Sequence, residues 1–305
     1  MCTARDIDLF RTTSLDRAAA RHLQRRRAAD ELVRIRHGVY VERNPWEALD
    51  GRSRHLVRMR AVIPLLRPGA LFALDSAAAI LGFPRLDPWP DRVRAAVPSL
   101  DHDVHRVGLT LHAGHVGADG RLFWGVPFSS RAWTVVELAR RSSLSAAVVV
   151  IDDALRRGVS AAELEQIAAE TGPWGSVRLE HALEIADARH ESVGESYLAA
   201  RAAELGCPDL EPQHEFVAPD GTVDRVDFWL PRLGIVVEFD GRQKYDDPAM
   251  LAGRAPRDVL WDEKRREDRL RARAEVRRFV RVTWSHLVAP ERLRALFRQQ
   301  GVPCR

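Results

Sequence analysis

The residues best equipped for chemistry fall in one stretch, residues 223–244. Asp227 stands in a first apolar run, Glu238 and Asp240 in a second, and Pro231 and Gly234 mark a turn between them. Side chains alternate along a strand, so Glu238 and Asp240 are expected on one face, with Val237 and Phe239 on the other. Phe228, Trp229, Ile235, Val236 and Val237 supply an apolar platform beside these acids. Carboxylates in such surroundings repel one another and resist losing water without compensation. A hard divalent cation resolves that conflict, because oxygen ligands from two carboxylates suit Mg²⁺. Lys244 follows directly after the second strand. Of the 47 Lys and Arg residues, only those at 244 and 264 are lysine. Mutational bias alone accounts for an arginine excess. Lysine nevertheless can release a proton and act as a compact point charge where arginine cannot.

Val226-Asp227-Phe228, the apolar run 235–237, Glu238-Phe239-Asp240-Gly241 and Lys244 together resemble the PD-(D/E)XK nuclease superfamily. The nearest likeness within it is the domain related to very-short-patch-repair (Vsr) endonucleases. The resemblance implies a DNA-cleaving domain with Mg²⁺ (or Mn²⁺) held by Asp227, Glu238 and the Phe239 carbonyl. It also implies an acidic residue aimed at the metal from the first helix, which Glu195 matches. One departure stands out: the pattern puts lysine two positions after the glutamate, where this chain has Asp240. Lys244 is then the displaced lysine and Lys264 its competitor. Gln243 would add a hydrogen bond, and Arg242, Arg265 and Arg269 would hold the DNA backbone. The same departure supports an alternative, a DNA-binding antitoxin or repressor whose nuclease fold is catalytically degenerate.

The elements that must position these residues follow from local pattern. Residues 192–205 read as a helix closed by Gly206, and Ser192 with Glu195 forms the S-x-x-E of a capping box. Capping is a complete structural reason for Glu195, so it has two readings. Residues 213–217 and 222–230 read as paired strands around Pro219-Asp220-Gly221. Residues 245–259 read as a loop and 261–274 as a charged helix. On that helix Asp262 and Arg266 stand four apart, which suits an intrahelical ion pair. Lys264 and Asp268 are secondary site candidates there. Residues 276–284 read as a closing strand and 290–299 as a capping helix. An acidic residue inside a strand, as at Asp227, breaks local propensity; several such breaks at one place argue for a site.

At 305 residues, with 46% hydrophobic and 30% charged content, the chain is of ordinary globular composition and long enough for two or three domains. No apolar run reaches a membrane span, and residues 1–30 lack the apolar core of a secretory signal. Cys2, Cys207 and Cys304 are far apart, which argues against a disulfide framework or zinc site and for a cytoplasmic protein. His102, His105, His112 and His115 match no ligand spacing and read as surface or core histidines.

Residues 14–30 are helix-prone and basic, and residues 32–41 alternate around His37-Gly38 as a hairpin should. Helices followed by a basic hairpin describe a winged helix-turn-helix, with Arg21, Arg25, Arg34 and Arg36 available for phosphates. A solvated basic face on a small structural domain fits the pattern equally. Residues 32–40, 69–82 and 126–139 are similar to the AbiEi-type (type IV) antitoxin family. That likeness implies a winged-helix start, DNA as a partner, and a cognate toxin or its promoter as a further one. The fold class expected is α/β and multi-domain: residues 1–50 winged-helix-like, 51–171 an α/β antitoxin-like middle region, and 172–305 an α-β-β-β-α-β-α restriction-endonuclease-like domain.

Overall fold

The computed structural model describes residues 3–12, 17–114, 116–241 and 256–305. It is a mixed α/β, multi-domain protein. The chain divides into two compact units, Met1–Ser142 with Arg157–Leu179, and Ser143–Arg156 with Glu180–Arg305.

The first unit begins with β1 (Phe10–Arg11), α1 (Arg17–Ala28), β2 (Leu32–Arg36) and β3 (Val39–Glu42), the strands forming one antiparallel sheet in the order β1-β3-β2. Gly38 turns the hairpin at φ +74, a backbone conformation side chains with a Cβ avoid. Next come α2 (Arg43–Glu47) and α3 (Gly51–Val62). Ile7, Val41, Trp46, Leu49 and Val57 form a small core here. The elements β4 (Leu71–Phe72), α4 (Leu74–Leu81), β5 (Val93–Val97), β6 (Val104–Arg106), β7 (Leu109–Ala113), β8 (Ala118–Phe123) and β9 (Val126–Ser129) follow. Their strands make a six-stranded mixed sheet, β6-β7-β5-β4-β9-β8. Its core includes Phe72, Val93, Ala95, Val97, Leu109, Leu111 and Phe128, against Met59 and Val62 of α3. The small residues Ala77, Ala78 and Ala79 of α4 are fully buried, which is why that helix is built from small side chains. Helix α5 (Arg131–Arg141) starts at Ser130, whose side chain accepts the Trp133 N–H.

Helix α6 (Leu144–Arg156) belongs to the second unit, although its sequence sits in the middle of the chain. Helices α7 (Ala161–Glu170) and α8 (Ser176–Ile185) lead to α9 (Val193–Glu204). The second unit's sheet has β10 (Glu211–Val217), β11 (Val223–Leu230), β12 (Ile235–Asp240) and β13 (Arg278–Thr283), hydrogen-bonded in that order. The first two pairings are antiparallel and β12–β13 is parallel. Such a parallel step needs a crossover, and α10 (Pro256–Arg271) lies within it. Short α11 (Trp284–Leu287) and α12 (Pro290–Gln299) close the unit. Leu270 of α10 packs with Phe216, Val226, Trp229, Val236 and Val276 in one buried cluster.

Helix α10 starts at Pro256, not at residue 261, so part of the expected loop is helical. Proline is favoured in a first helical turn, where its missing N–H costs nothing. In the first unit, β4, β6, β8 and β9 add strands to those expected at 92–97 and 108–112.

Candidate active site

Strands β11 and β12 are in register through Phe228 opposite Val237, so the next pair along would be Asp227 and Glu238. There the ladder gives way to a side chain: the Phe239 N–H donates to Asp227 Oδ2 at 2.8 Å. A backbone donor inside a sheet must be satisfied, and here a carboxylate does so. Opposite this point on β10, Gln213 adopts φ +54, which is rare outside glycine. Strain of this kind needs support from its surroundings. Gln213 Nε2 donates to Glu195 Oε2 at 2.7 Å. Nothing in the residue pattern marks Gln213 for such a role.

Glu195 is buried and fully engaged at the start of α9. Its carboxylate accepts from Ser192 Oγ at 2.7 Å and from the Glu191 N–H at 2.9 Å, while the Glu195 N–H donates to Ser192 Oγ at 3.1 Å. Ser192 thus caps α9, while the Glu195 carboxylate takes the Glu191 N–H and the Ser192 hydroxyl rather than the Ser192 N–H of a full capping box. The chain just before the cap is held by a buried pair, His190 Nδ1 donating to Asp152 Oδ2 at 2.7 Å. Asp152 Oδ1 also accepts the Asp187 N–H at 2.8 Å. Gly194, one residue into α9, lies so close to the Phe239 ring that a Cβ there would overlap it. This contact fixes α9 against β12 beside the acidic residues.

Glu238 is buried, with its side chain only 11% exposed. Arg266 of α10 donates to its Oε1 at 2.8 Å and to the Arg225 carbonyl at 2.7 Å. Burial pushes the Glu238 carboxyl above its ordinary value; Arg266 and Arg281 oppose the rise and Glu263 adds to it. The guanidinium of Arg266 thus crosses from the helix to the sheet; the Asp262 side chain, its expected intrahelical partner, lies outside the described residues. A signal existed: Arg266 precedes the buried Leu270 by one turn and so shares its inward face. Towards the start of β11, buried Asp224 takes two hydrogen bonds from Arg269, at 3.1 and 2.5 Å. Arg269 is thus tied to this pair, with 47% of its side chain still exposed.

The remaining expected residues separate into three groups. Asp240 is half-buried at the end of β12, opposite Thr283. Lys264, Arg265 and Asp268 are exposed on α10, and the Lys264 ammonium sits 5.7 Å from the Trp261 ring centre. Arg242, Gln243 and Lys244 lie outside the described residues. Asp227, Glu238 and the Phe239 backbone are therefore the part of the expected constellation that the described chain brings together. Their oxygen atoms are hard donors of the kind Mg²⁺ or Mn²⁺ takes, and Arg266 already pairs with buried Glu238. Among the described residues no group of three or more His, Cys, Asp or Glu side chains could hold a metal. The expected set asks for two carboxylates and one carbonyl, which is a smaller requirement.

In the first unit, Arg21 and Arg25 are exposed on α1 and Arg34 on β2. Arg36 differs: its Nε donates to the Ala61 carbonyl at 2.8 Å, near the end of α3. A helix C-terminus carries unsatisfied carbonyls, so this arginine has a structural task. His112 pairs with Asp103 at 2.8 Å and His105 with Thr110 at 3.2 Å; His115 lies outside the described residues. Among the described residues no helix is long and apolar enough to cross a membrane.

Fold and site define a mixed α/β protein of several sheets with an acidic, cation-compensated site on a four-stranded sheet. No family model matches the chain. The uncharacterized proteins MT2308 and Rv2248 of Mycobacterium tuberculosis are each 31% identical to it over 225 residues, covering 72% of this chain and 78% of theirs. The chain belongs to the same family as these two proteins. A crystal structure of the RV2827C protein from Mycobacterium tuberculosis overlays with a TM-score of 0.37 and 19% identity, over 71% of this chain and 86% of that one.

Proposed function

We propose that the second unit is a metal-dependent DNA endonuclease with a restriction-endonuclease-like fold. The first unit, with a winged-helix-like start, would hold duplex DNA. One observation carries the reading: the Asp227 carboxylate reaches the Phe239 N–H at 2.8 Å, immediately beside buried Glu238. This puts two acids from neighbouring central strands at one place on the sheet. The strand order, two antiparallel pairings and then a parallel one with a helix in the crossover, also agrees with it.

Asp227, Glu238 and the Phe239 carbonyl would hold Mg²⁺ or Mn²⁺. The ion, when bound, would lower the pKa of a coordinated water and offset charge on the phosphate. Asp227 orients the backbone of Phe239, and Glu195 and Gln213 hold the strand and helix on either side. Arg266 opposes the upward push of burial on the Glu238 carboxyl. Exposed Lys264 and Arg265 can meet phosphates from α10. Lys244 remains the proposed lysine for the attacking water.

Arg266 on Glu238 also favours the second reading, a non-enzymatic DNA-binding antitoxin or repressor. In that case the ion pair is permanent and replaces the metal. The test is plasmid nicking with Mg²⁺ or Mn²⁺, EDTA as the block, and Glu238→Ala as the control. Nicking that stops with EDTA and disappears in the variant supports the endonuclease. Equal activity in the variant means contamination, and tight DNA binding with no cleavage favours the repressor.

A further inference from the structure

We propose that Cys207 and Cys304 form a reversible oxidation site that staples the end of the chain to helix α9. The two residues are 97 apart in sequence, yet their sulfurs stand 3.1 Å from each other, both half-buried and both free thiols. Backbone hydrogen bonds hold both. Gly206 leaves the helix at φ +62, and the Cys207 N–H then donates to the Ala202 carbonyl at 2.9 Å. On the other side the Arg305 N–H donates to the Leu205 carbonyl at 2.8 Å, Arg298 donates to the Cys304 carbonyl at 3.2 Å, and Val302 is buried. Backbone on both sides thus presents the thiols to one another. A disulfide bond of about 2.05 Å requires the sulfurs to close by only about 1 Å.

Cys207 also lines a cavity of about 260 Å³ with Asp187, His190 and Ala203. The oxidant is a low-molecular-weight disulfide, RSSR. The Cys304 thiolate attacks one sulfur of RSSR, forming a mixed disulfide and releasing RS⁻. The Cys207 thiolate then attacks the Cys304 sulfur, forming the internal bond and releasing a second RS⁻. Two cysteine protons end on two RSH molecules, and the two electrons lost by the cysteines reduce RSSR. Burial raises the Cys207 thiol well above its ordinary value, which keeps its thiolate scarce, so the second attack relies on the 3.1 Å approach of the two sulfurs.

The loop closed in this way contains β10 to β13 and α10 to α12, including Asp227 and Glu238. Cross-linking so long a loop restricts the unfolded chain strongly and should raise the melting temperature by about 10 °C. The staple does not depend on DNA cleavage.

The experiment uses the full chain carrying Cys2→Ser, so that only this pair remains. It is incubated with glutathione disulfide and followed by intact mass and thermal melting. The expected result is a mass lower by about 2 Da, without a retained glutathione adduct, and a melting rise reversed by dithiothreitol. Cys207→Ser should keep a single adduct on Cys304, Cys304→Ser should keep none, and neither should show a rise. A retained adduct or an unchanged mass in the two-cysteine protein overturns the proposal. So does a melting rise that survives in both serine variants.

Discussion

Replacing Arg266 by methionine tests the electrostatics of the candidate site most directly. Arg266 donates to buried Glu238 at 2.8 Å, with 27% of its own side chain exposed. Removing one partner of a fully buried ion pair costs about 3–5 kcal/mol, and partial exposure reduces that to roughly 2 kcal/mol. The dependence on pH gives the sharper signature. Glu238 has a folded pKa raised above 4.5, chiefly by burial, with Arg266 the leading opposing influence. A carboxyl raised on folding binds protons more readily when folded, so it costs stability above its folded pKa and stops doing so as pH falls toward the unfolded value. Without Arg266 the folded value rises further. The variant's deficit should therefore be full above that new value and shrink as acid neutralises Glu238. Urea unfolding of both proteins between about pH 8 and pH 5 measures this. A double-mutant cycle with Glu238→Gln should give a coupling of about 1–3 kcal/mol. Mg²⁺ or Mn²⁺ should also stabilise the variant more than the native chain, because a cation can then take the guanidinium's place. An identical deficit at both pH extremes, with no coupling to Glu238, would refute the reasoning.

Further outcomes follow from the same geometry. Alanine at Arg21, Arg25 and Arg34 should flatten the salt dependence of duplex binding by about 0.9 in slope for each phosphate no longer neutralised. Arg36→Ala should leave that slope alone and lower the melting temperature, since Arg36 serves the end of α3; gel-shift titrations in graded salt beside thermal melts separate the two. Gly194→Ala should destabilise the chain by about 1–3 kcal/mol in urea unfolding, because the new methyl must displace the Phe239 ring. His55 is buried between Ser76 and the Pro90 carbonyl, and burial lowers its pKa to about 4. A histidine lowered on folding binds protons more readily when unfolded, so stability should fall by about 3 kcal/mol between pH 6.5 and 4. His55→Gln should weaken that slope, and stability curves with no change in slope would rule the assignment out.

Much of the second unit is legible in the sequence because its local signals agree. The cap Ser192–Glu195, the stop at Gly206 and the turn before Ile235 each identify themselves through residue type. The expected helix 192–205 and strands 222–230 and 276–284 agree with the observed elements to within a few residues. What sequence did not reveal depends on tertiary approach. Gln213 carries no mark of its positive φ, and nothing near Cys207 announces Cys304. The strands β4 and β9 are short and are set by pairing rather than by alternation. Arg269 looks like a free basic residue on a charged helix, yet Asp224 claims it across the strand.

The same distinction bears on the missing lysine. The motif resemblance requires a mobile cation near Glu238, and Asp240 occupies the usual position. In the described residues the cation that touches Glu238 is Arg266, brought in from α10. An arginine there cannot give up a proton, so it can neutralise and position but not act as an acid or base. If metal-dependent hydrolysis takes place, Arg266 must either release Glu238 to the metal or share its second oxygen. If Arg266 never yields, the carboxylate serves folding alone and the acidic residues are a buried relic of cation binding. Both cases use the same contact, and they separate on whether added metal competes with the guanidinium. Metal-dependent stabilisation that Arg266→Met enhances is therefore the observation that would join the fold to chemistry.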